Sequence, residues 1–480
     1  MEFKSEFTMT IDGKAARSAE TFKVINPATE EVIAEVPDIS REQLDETIAE
    51  ARKAFPRWKA TPLTKRQAAV TAIGERLAER EEDFARLLTT EQGKPLADAR
   101  REVSLAADWL RAVARQEPAI EVVADTPERL IETRHVPIGV VCALVPWNFP
   151  LLLAAFKIAP ALVTGNALIL KPSPFTPLTS LKLGELTRNL LPPGVFNIIS
   201  GGDRLGPWMT EHPGIDKVSF TGSTATGRAI MRSASVNVKR ITLELGGNDP
   251  AIVLKDANVE KSIPKLFWSA FMNNGQMCIA SKRIYVHESI YERFAHGMVE
   301  YAKTVRMGNG AEDGVQLGPV QNKSQYDRLC KLLSECKSAG ISFLLGGEVP
   351  HTGKGYFIPI AIADNPGDAS RLVTEEAFGP VRPLLRYSTT EEVVRRANDS
   401  IYGLAASVWG TDLDGAQKVA DQIEAGTVWI NTGQELLPTH VFGGQKQSGL
   451  GVENGVAGLL EYTNPQTLVR NKVALEAVHI

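Results

Sequence analysis

No apolar run in this chain of 480 residues approaches the roughly 20 residues that a membrane-crossing helix needs. Cysteine is scarce. Cys142, Cys278, Cys330 and Cys336 are too few to frame so long a chain with disulfides, so reduced thiols and a cytoplasmic setting are expected. The seven histidines are scattered, with no pair at metal-ligand spacing, and no metal site is expected. A net charge of -4 gives no electrostatic reason to bind nucleic acid. The opening Met1-Glu2-Phe3-Lys4-Ser5-Glu6 lacks the basic and apolar stretches of a signal peptide. Internal repeats and low-complexity tracts are missing too. What remains is 43% hydrophobic and 23% charged, an ordinary globular balance. Its length calls for two or three domains rather than one core.

The first part of the chain reads as strands followed by helices. Ser40 and Gln43 stand at capping-box spacing. Leu44, Ile48, Ala51 and Phe55 then recur at helical spacing. Further helices are predicted over about 65–91 and 95–116. From residue 139 the pattern changes. Short apolar runs at 140–145, 167–170, 195–199, 217–220 and 241–245 alternate with helical stretches such as 178–190, which predicts βαβ units and a buried parallel sheet. A second α/β region has candidate strands at 251–254, 283–287, 406–409 and 427–431. Segments 120–136 and 467–472 look extended and partly apolar.

Two stretches carry chemistry. Leu243-Glu244-Leu245-Gly246-Gly247 places a carboxylate at the end of a predicted strand, either as an edge-strand Glu facing water or, in so apolar a run, as a buried charge with a partner or a task. Asn273-Asn274-Gly275-Gln276-Met277-Cys278 places a thiol after a Gly-Gln turn and before a helix or strand. A lone cysteine is by default a buried, inert residue, and Cys142, Cys330 and Cys336 keep that reading. A thiolate beside a carboxylate that activates water, however, can form and then hydrolyse a thioester.

These runs resemble the aldehyde dehydrogenase superfamily, whose signatures are Glu-Leu-Gly-Gly and Gly-Gln-x-Cys. Val145-Pro146-Trp147-Asn148-Phe149-Pro150 extends the likeness, since the family's Pro-Trp-Asn-Phe-Pro is matched letter for letter. The resemblance implies Cys278 as nucleophile and Glu244 as the base that hydrolyses the acyl-enzyme. Asn148, with the backbone N–H of Cys278, would stabilise the oxyanion, a contribution of about 3 kcal/mol for such a donor. Lys157 and Glu453 match a Lys and a Glu that the family uses to relay protons around the base. Asn248 departs from the pattern, standing where the family has Lys after Glu-Leu-Gly-Gly.

For the cofactor, Gly222, Ser223 and Gly227 lie between a strand and a predicted helix, where N–H and hydroxyl donors can meet a pyrophosphate. Their spacing is Gly-x-x-x-x-Gly rather than Gly-x-Gly-x-x-Gly. By resemblance Lys171 bonds the adenosine ribose, Glu376 holds the nicotinamide ribose, Phe378 packs beside the nicotinamide end, and Trp147 belongs to the cofactor site. Pro174 replaces a Glu that repels a 2′-phosphate in many members, so NAD is expected but NADP stays possible. Asp203 would oppose that phosphate and Arg204 attract it. The substrate tunnel would be lined by Phe149, Leu153, Phe156, Met277, Ile279 and Phe442, all apolar, which favours aliphatic or aromatic aldehydes over succinate semialdehyde. Segment 434–440 is the least family-like stretch near it.

The implied fold class is α/β and aldehyde dehydrogenase-like: a Rossmann-type cofactor domain (1–118 and 139–246), an α/β catalytic domain (247–447) and a β oligomerisation arm (119–138 and 463–480). The expected partners are a small-molecule aldehyde and further copies of the chain, as homodimer or homotetramer, without nucleic acid or membrane. Two other functions stay open at this point, a coenzyme A-acylating aldehyde dehydrogenase and a catalytically silent dinucleotide-binding relative.

Overall fold

The computed structural model describes residues 3, 6–349 and 353–473. Residues 1, 2, 4 and 5 of the expected cofactor domain, 350–352 of the catalytic domain and 474–480 of the arm lie outside the described residues.

One sheet has eight strands, in the order Lys14–Ala16, Met9–Ile11, Phe196–Ile198, Ala167–Lys171, Val140–Leu144, Lys217–Thr221, Arg240–Glu244, Gly449–Leu450. The five from Phe196–Ile198 to Arg240–Glu244 are parallel. Helices lie between them in sequence, and the three middle strands are buried along their whole length. Burial on both faces is why these strands appear in the sequence as unbroken apolar runs. Strand order proceeds outward from Val140–Leu144 in one direction and from Lys217–Thr221 in the other. A crevice opens past the carboxyl ends of such a pair. The residues that come after these two ends are Pro146-Trp147-Asn148 and Gly222-Ser223.

The second sheet has seven strands, in the order Phe343–Leu345, Ala361–Asp364, Val381–Tyr387, Ser281–His287, Asp249–Val253, Ala405–Trp409, Thr427–Ile430. Only its first pair is antiparallel. The last strand of the parallel run in the first sheet ends at Glu244, and the second sheet resumes at Asp249. The Glu-Leu-Gly-Gly run is thus the crossing between the two sheets. A third, antiparallel sheet joins Glu121–Asp125, Arg129–Pro137 and Thr463–Asn471, with Thr463 opposite Pro137 and Asn471 opposite Arg129.

The Ser40–Gln43 capping box is present in full at the start of helix Arg41–Lys59. The helical region expected over 65–91 divides into two helices, Leu63–Ala78 and Glu81–Gln92. No Gly or Pro marks the break, so periodicity could not place it. Glu81, Glu82 and Asp83 in the first turn of the second helix suit the positive end of a fresh helix dipole. The helix expected over 178–190 stops at Thr187.

Candidate active site

Cys278 sits in a turn between the segment Met272–Gly275 and the strand Ser281–His287, so of the two elements expected after the thiol, helix or strand, it is the strand that forms. Asn273 and Asn274 hold left-handed backbone at φ 51° and 58°, a conformation Asn tolerates better than most residues. Gln276 anchors the turn. Its amide donates to the carbonyls of Asn273 and Pro319, and its Oε1 accepts from the N–H of Gln321 at 2.8 Å. The Cys278 thiol is half-buried, and loss of water pushes it up to about 12; Lys282 pulls it down, while Glu376, Asp249 and Glu244 push the same way as burial. At rest the sulfur carries its proton.

Glu244 is not at a sheet edge. Its strand pairs with Lys217–Thr221 on one side and Gly449–Leu450 on the other. The side chain is 3% exposed and neither carboxylate oxygen has a hydrogen-bond partner. Burial, then the charge of Glu453, raises its pKa well above the ordinary carboxylate value, with Lys157 opposing. An unpaired buried acid is costly to keep. A general base works best with its pKa near the operating pH, and this environment moves Glu244 in that direction. Nearby, Lys157 Nζ donates to Glu453 Oε1 at 2.5 Å and to Ser219 Oγ at 3.3 Å, and Tyr462 OH donates to Ser219 Oγ at 2.9 Å. Both ends of the Lys157–Glu453 pair are buried.

Asn148 is buried and its amide donates to the carbonyl of Gln276 at 3.1 Å, which ties it directly to the segment bearing Cys278. Its own carbonyl accepts from Lys94 Nζ at 2.9 Å and from Asn273 Nδ2 at 3.1 Å. Lys94 in turn pairs with Glu102 at 2.5 Å and lies 3.8 Å from the centre of the Phe149 ring. Glu102 also accepts from the N–H groups of Leu151 and Leu152, satisfying donors at the start of helix Pro150–Val163. Sequence reasoning missed this pair. The available signal was a carboxylate on the same helix face as Ala99, Val103 and Ala106, all of them buried.

A cavity of about 180 Å³ gathers Trp147, Asn148, Leu153, Gly222, Ser223, Cys278, Glu376 and Phe378, so most residues expected around the cofactor's reactive end meet the thiol in one cleft. Trp147 and Phe378 meet edge to face at 5.4 Å. Ser223 caps the helix Thr224–Ala234, whose N-terminus faces the crevice. A Cβ on Gly246 would meet the Glu376 carboxylate, so the bare backbone here lets that carboxylate lie directly over it. Gly247 donates its N–H to Glu376 Oε1 at 3.3 Å, and a Cβ on it would strike Asp249 and the carbonyl of Cys278. A helix N-terminus, aromatic walls and a carboxylate laid over bare backbone fit a nicotinamide dinucleotide. Gly227 is buried against Leu245 and does not line the cleft. Lys171 lies outside the cleft too, at the end of its strand. Burial pushes it down to about 8 while Asp203 and Asp38 act the other way.

A larger cavity of about 710 Å³ is lined by Phe149, Phe156 and Met277, and also by Trp109, Trp429 and Leu436. Trp109 stacks on Phe156 at 4.5 Å and donates to Asn454 Oδ1 at 2.9 Å. Adjacent residues divide between the two cavities: Asn148 and Phe149, Leu153 and Leu152, Cys278 and Met277. The two spaces therefore lie against the same backbone segments, one of them the segment that bears the thiol. Leu153 faces the smaller cavity. Ile279 and Phe442 line neither; they form a small core with Leu404 and Ala405 against which Met277 and Cys278 pack. The six expected tunnel residues contain no cation, but the cavity wall includes Asp98, Arg101, Glu435 and His440, the last two from segment 434–440. No helix among the described residues is long and apolar enough to cross a membrane.

The family model for the aldehyde dehydrogenase family matches residues 14–468. A probable aldehyde dehydrogenase from Pseudomonas sp is 40% identical over 473 residues, covering 98% of this chain and 96% of that protein. A phenylacetaldehyde dehydrogenase from Pseudomonas fluorescens is 37% identical, covering 95% and 93%. The NAD+ complex of an aldehyde dehydrogenase from Bacillus cereus superposes with a TM-score of 0.95 at 36% identity, covering 98% of this chain and 97% of that one.

Proposed function

Because the chain belongs to the aldehyde dehydrogenase family, we propose that it oxidises an apolar aliphatic or aromatic aldehyde to the free carboxylic acid through a thioester on Cys278. The observation that carries this reading is that Cys278 and Asn148 line one cavity while their chain neighbours Met277 and Phe149 line an aromatic-walled one, with the unpaired, buried Glu244 close to the sulfur. The Cys278 thiol first gives its proton to water, and the resulting thiolate attacks the aldehyde carbon. The new oxyanion is held by the Asn148 amide and the Cys278 N–H, donors aimed at charge that appears only in the transition state. When bound, the nicotinamide supplies the hydride acceptor, and loss of hydride from the thiohemiacetal leaves the thioester. Glu244 then takes a proton from water, whose oxygen attacks the thioester; the acid departs and the sulfur is freed. The buried Lys157–Glu453 pair receives the proton that Glu244 must shed before the next cycle. Holding sulfur, aldehyde and hydride acceptor in one cleft makes the transfer effectively unimolecular.

Glu376, Phe378, Trp147, Gly222 and Ser223 would hold the nicotinamide half of the dinucleotide, and Lys171 the adenosine ribose, with Gly227 supporting the loop from behind. We read the preference as NAD. Arg204, the cation that could welcome a 2′-phosphate, is engaged by Glu20 at 2.9 Å and Asp38 at 3.6 Å. Asp203 and Asp38 both act on Lys171 and would repel such a phosphate. The aromatic lining by Trp109, Phe149, Phe156 and Trp429 supports an apolar aldehyde, in keeping with the relative named for phenylacetaldehyde. The reading also takes in a cofactor domain (1–118, 139–246), a catalytic domain (247–447), an arm that joins copies of the chain (119–138, 463–480), and a cytoplasmic setting.

The test is product analysis with aliphatic, aromatic and carboxylated aldehydes under NAD or NADP, with and without coenzyme A. Free acid from apolar aldehydes, indifferent to coenzyme A, supports the proposal. Acyl-coenzyme A as the product, or nucleotide binding without turnover of any aldehyde, would replace it with one of the other two functions.

A further inference from the structure

Lys282 is a cation almost wholly removed from water, 2% exposed, one residue into the strand after the nucleophile's turn. Its Nζ has two partners. It donates to the carbonyl oxygen of Cys278 at 2.5 Å and lies 3.1 Å from Glu376 Oε1. The latter oxygen also accepts from the N–H of Gly247. Where the family's pattern has Lys, this chain has Asn248, whose amide turns to the carbonyl of Val373 at 2.7 Å. The cation here comes instead from the neighbouring parallel strand, whose next residue, Arg283, grips the carbonyl of Asn248 at 2.7 Å. Burying an ammonium this deeply is costly unless its charge is met. Here one carboxylate meets it and a backbone carbonyl fixes its position.

We propose that Lys282 is a positioning residue that ties the carboxylate of Glu376 to the backbone of Cys278, so that one cation sets both the ribose-binding group and the nucleophile. This rests on the reading of Glu376 as the nicotinamide-ribose ligand. Removing the ammonium frees Glu376 to swing across Gly246 and Gly247, and it releases the carbonyl of the residue that carries the sulfur. It also removes the cation closest to that sulfur. The ionisable groups that face Cys278 are Lys282, Glu376, Asp249 and Glu244, and Lys282 alone among them favours the thiolate. Loss of Lys282 therefore leaves three acids opposing ionisation of the thiol.

Two readouts without aldehyde test this on the full-length enzyme: NAD affinity, from quenching of tryptophan fluorescence, and the pH profile of Cys278 alkylation by iodoacetamide in cofactor-free protein. Lys282→Met should weaken NAD binding about tenfold and move the alkylation profile at least one pH unit upward, a tenfold slower reaction at a given pH on its rising limb. Lys282→Arg should restore most of both, because it keeps the charge. Glu376→Gln, which leaves Lys282 in place, should move the alkylation profile the opposite way. It serves as the independent measurement if Lys282→Met fails to fold. Unchanged affinity and profile in a folded Lys282→Met, or an unshifted profile in Glu376→Gln, would overturn the proposal. A wild-type enzyme that binds NAD but oxidises no aldehyde would sink the proposed function while leaving both readouts intact.

Discussion

Replacing Glu244 by glutamine should halt the reaction after hydride transfer and before hydrolysis. The change is nearly isosteric and touches no hydrogen bond, since neither carboxylate oxygen has a partner. It removes only the ability to take a proton. A positioned general base contributes about 10²–10⁴ in rate. The upper half of that range is expected here, because the other nearby carboxylate, Glu453, is bound to Lys157 at 2.5 Å and makes a poor substitute. Steady-state turnover should thus fall by about 10³–10⁴, or about 4.1–5.4 kcal/mol in the hydrolytic barrier. Rapid mixing with NAD and an aldehyde should still give one equivalent of reduced nicotinamide per active site, and intact mass should show the acyl group on Cys278. Loss of the burst along with turnover would mean that Glu244 acts before hydride transfer. Unimpaired turnover would mean that another base hydrolyses the thioester. Either result refutes the reasoning. The pH dependence has a definite sign. The folded-state pKa is raised above the ordinary value of 4.5, so the folded chain holds this proton more tightly than the unfolded chain. The group therefore takes stability away as pH rises from about 4.5 towards its folded pKa. The melting temperature of Glu244→Gln relative to wild type should climb over that window.

On the proposed mechanism Asn148→Ala removes an oxyanion donor and should lower kcat by about 10²–10³ with little change in aldehyde KM, as read from steady-state kinetics. Lys157→Met strands Glu453 as an unpaired buried charge, and chemical denaturation should show a loss of about 3–5 kcal/mol. Phe149→Ala strips a ring from the larger cavity, and kcat/KM for aromatic aldehydes should drop about two- to tenfold, with a smaller change for short aliphatic ones. Arg204→Ala should leave the NAD/NADP preference nearly unchanged, because that guanidinium is already committed to Glu20 and Asp38; a marked loss of NADP use in competition kinetics would contradict the cofactor reading.

The parallel strands were legible because each is buried on both faces and so declares itself as an apolar run a few residues long. The carboxylate is legible because it interrupts an apolar run with a group that burial penalises, whereas the thiol and the amide are legible through the Gly-Gln-x-Cys and Pro-Trp-Asn-Phe-Pro runs around them. Other features depend on contacts between distant segments. Lys94 and Glu102 stand only eight residues apart, but what they hold, the carbonyl of Asn148 and the N–H groups of Leu151 and Leu152, belongs to another segment, and the sequence keeps no local trace of that beyond a misplaced carboxylate. Ile279 and Phe442 are apolar like the residues that line the cavity, and apolarity alone does not tell wall from supporting core. The break at Glu79 and Arg80 had no Gly or Pro to mark it. Nothing local in the sequence marks Lys282, whose burial comes only with the packing of its strand.

The most direct test of the central claim is aldehyde-dependent formation of reduced nicotinamide by the full-length protein, beside a Cys278→Ala control. The account predicts turnover of apolar aldehydes with NAD that disappears in the control, while NAD binding survives. Turnover that persists without the Cys278 sulfur, or a wild-type protein that binds NAD and turns over nothing, would contradict it.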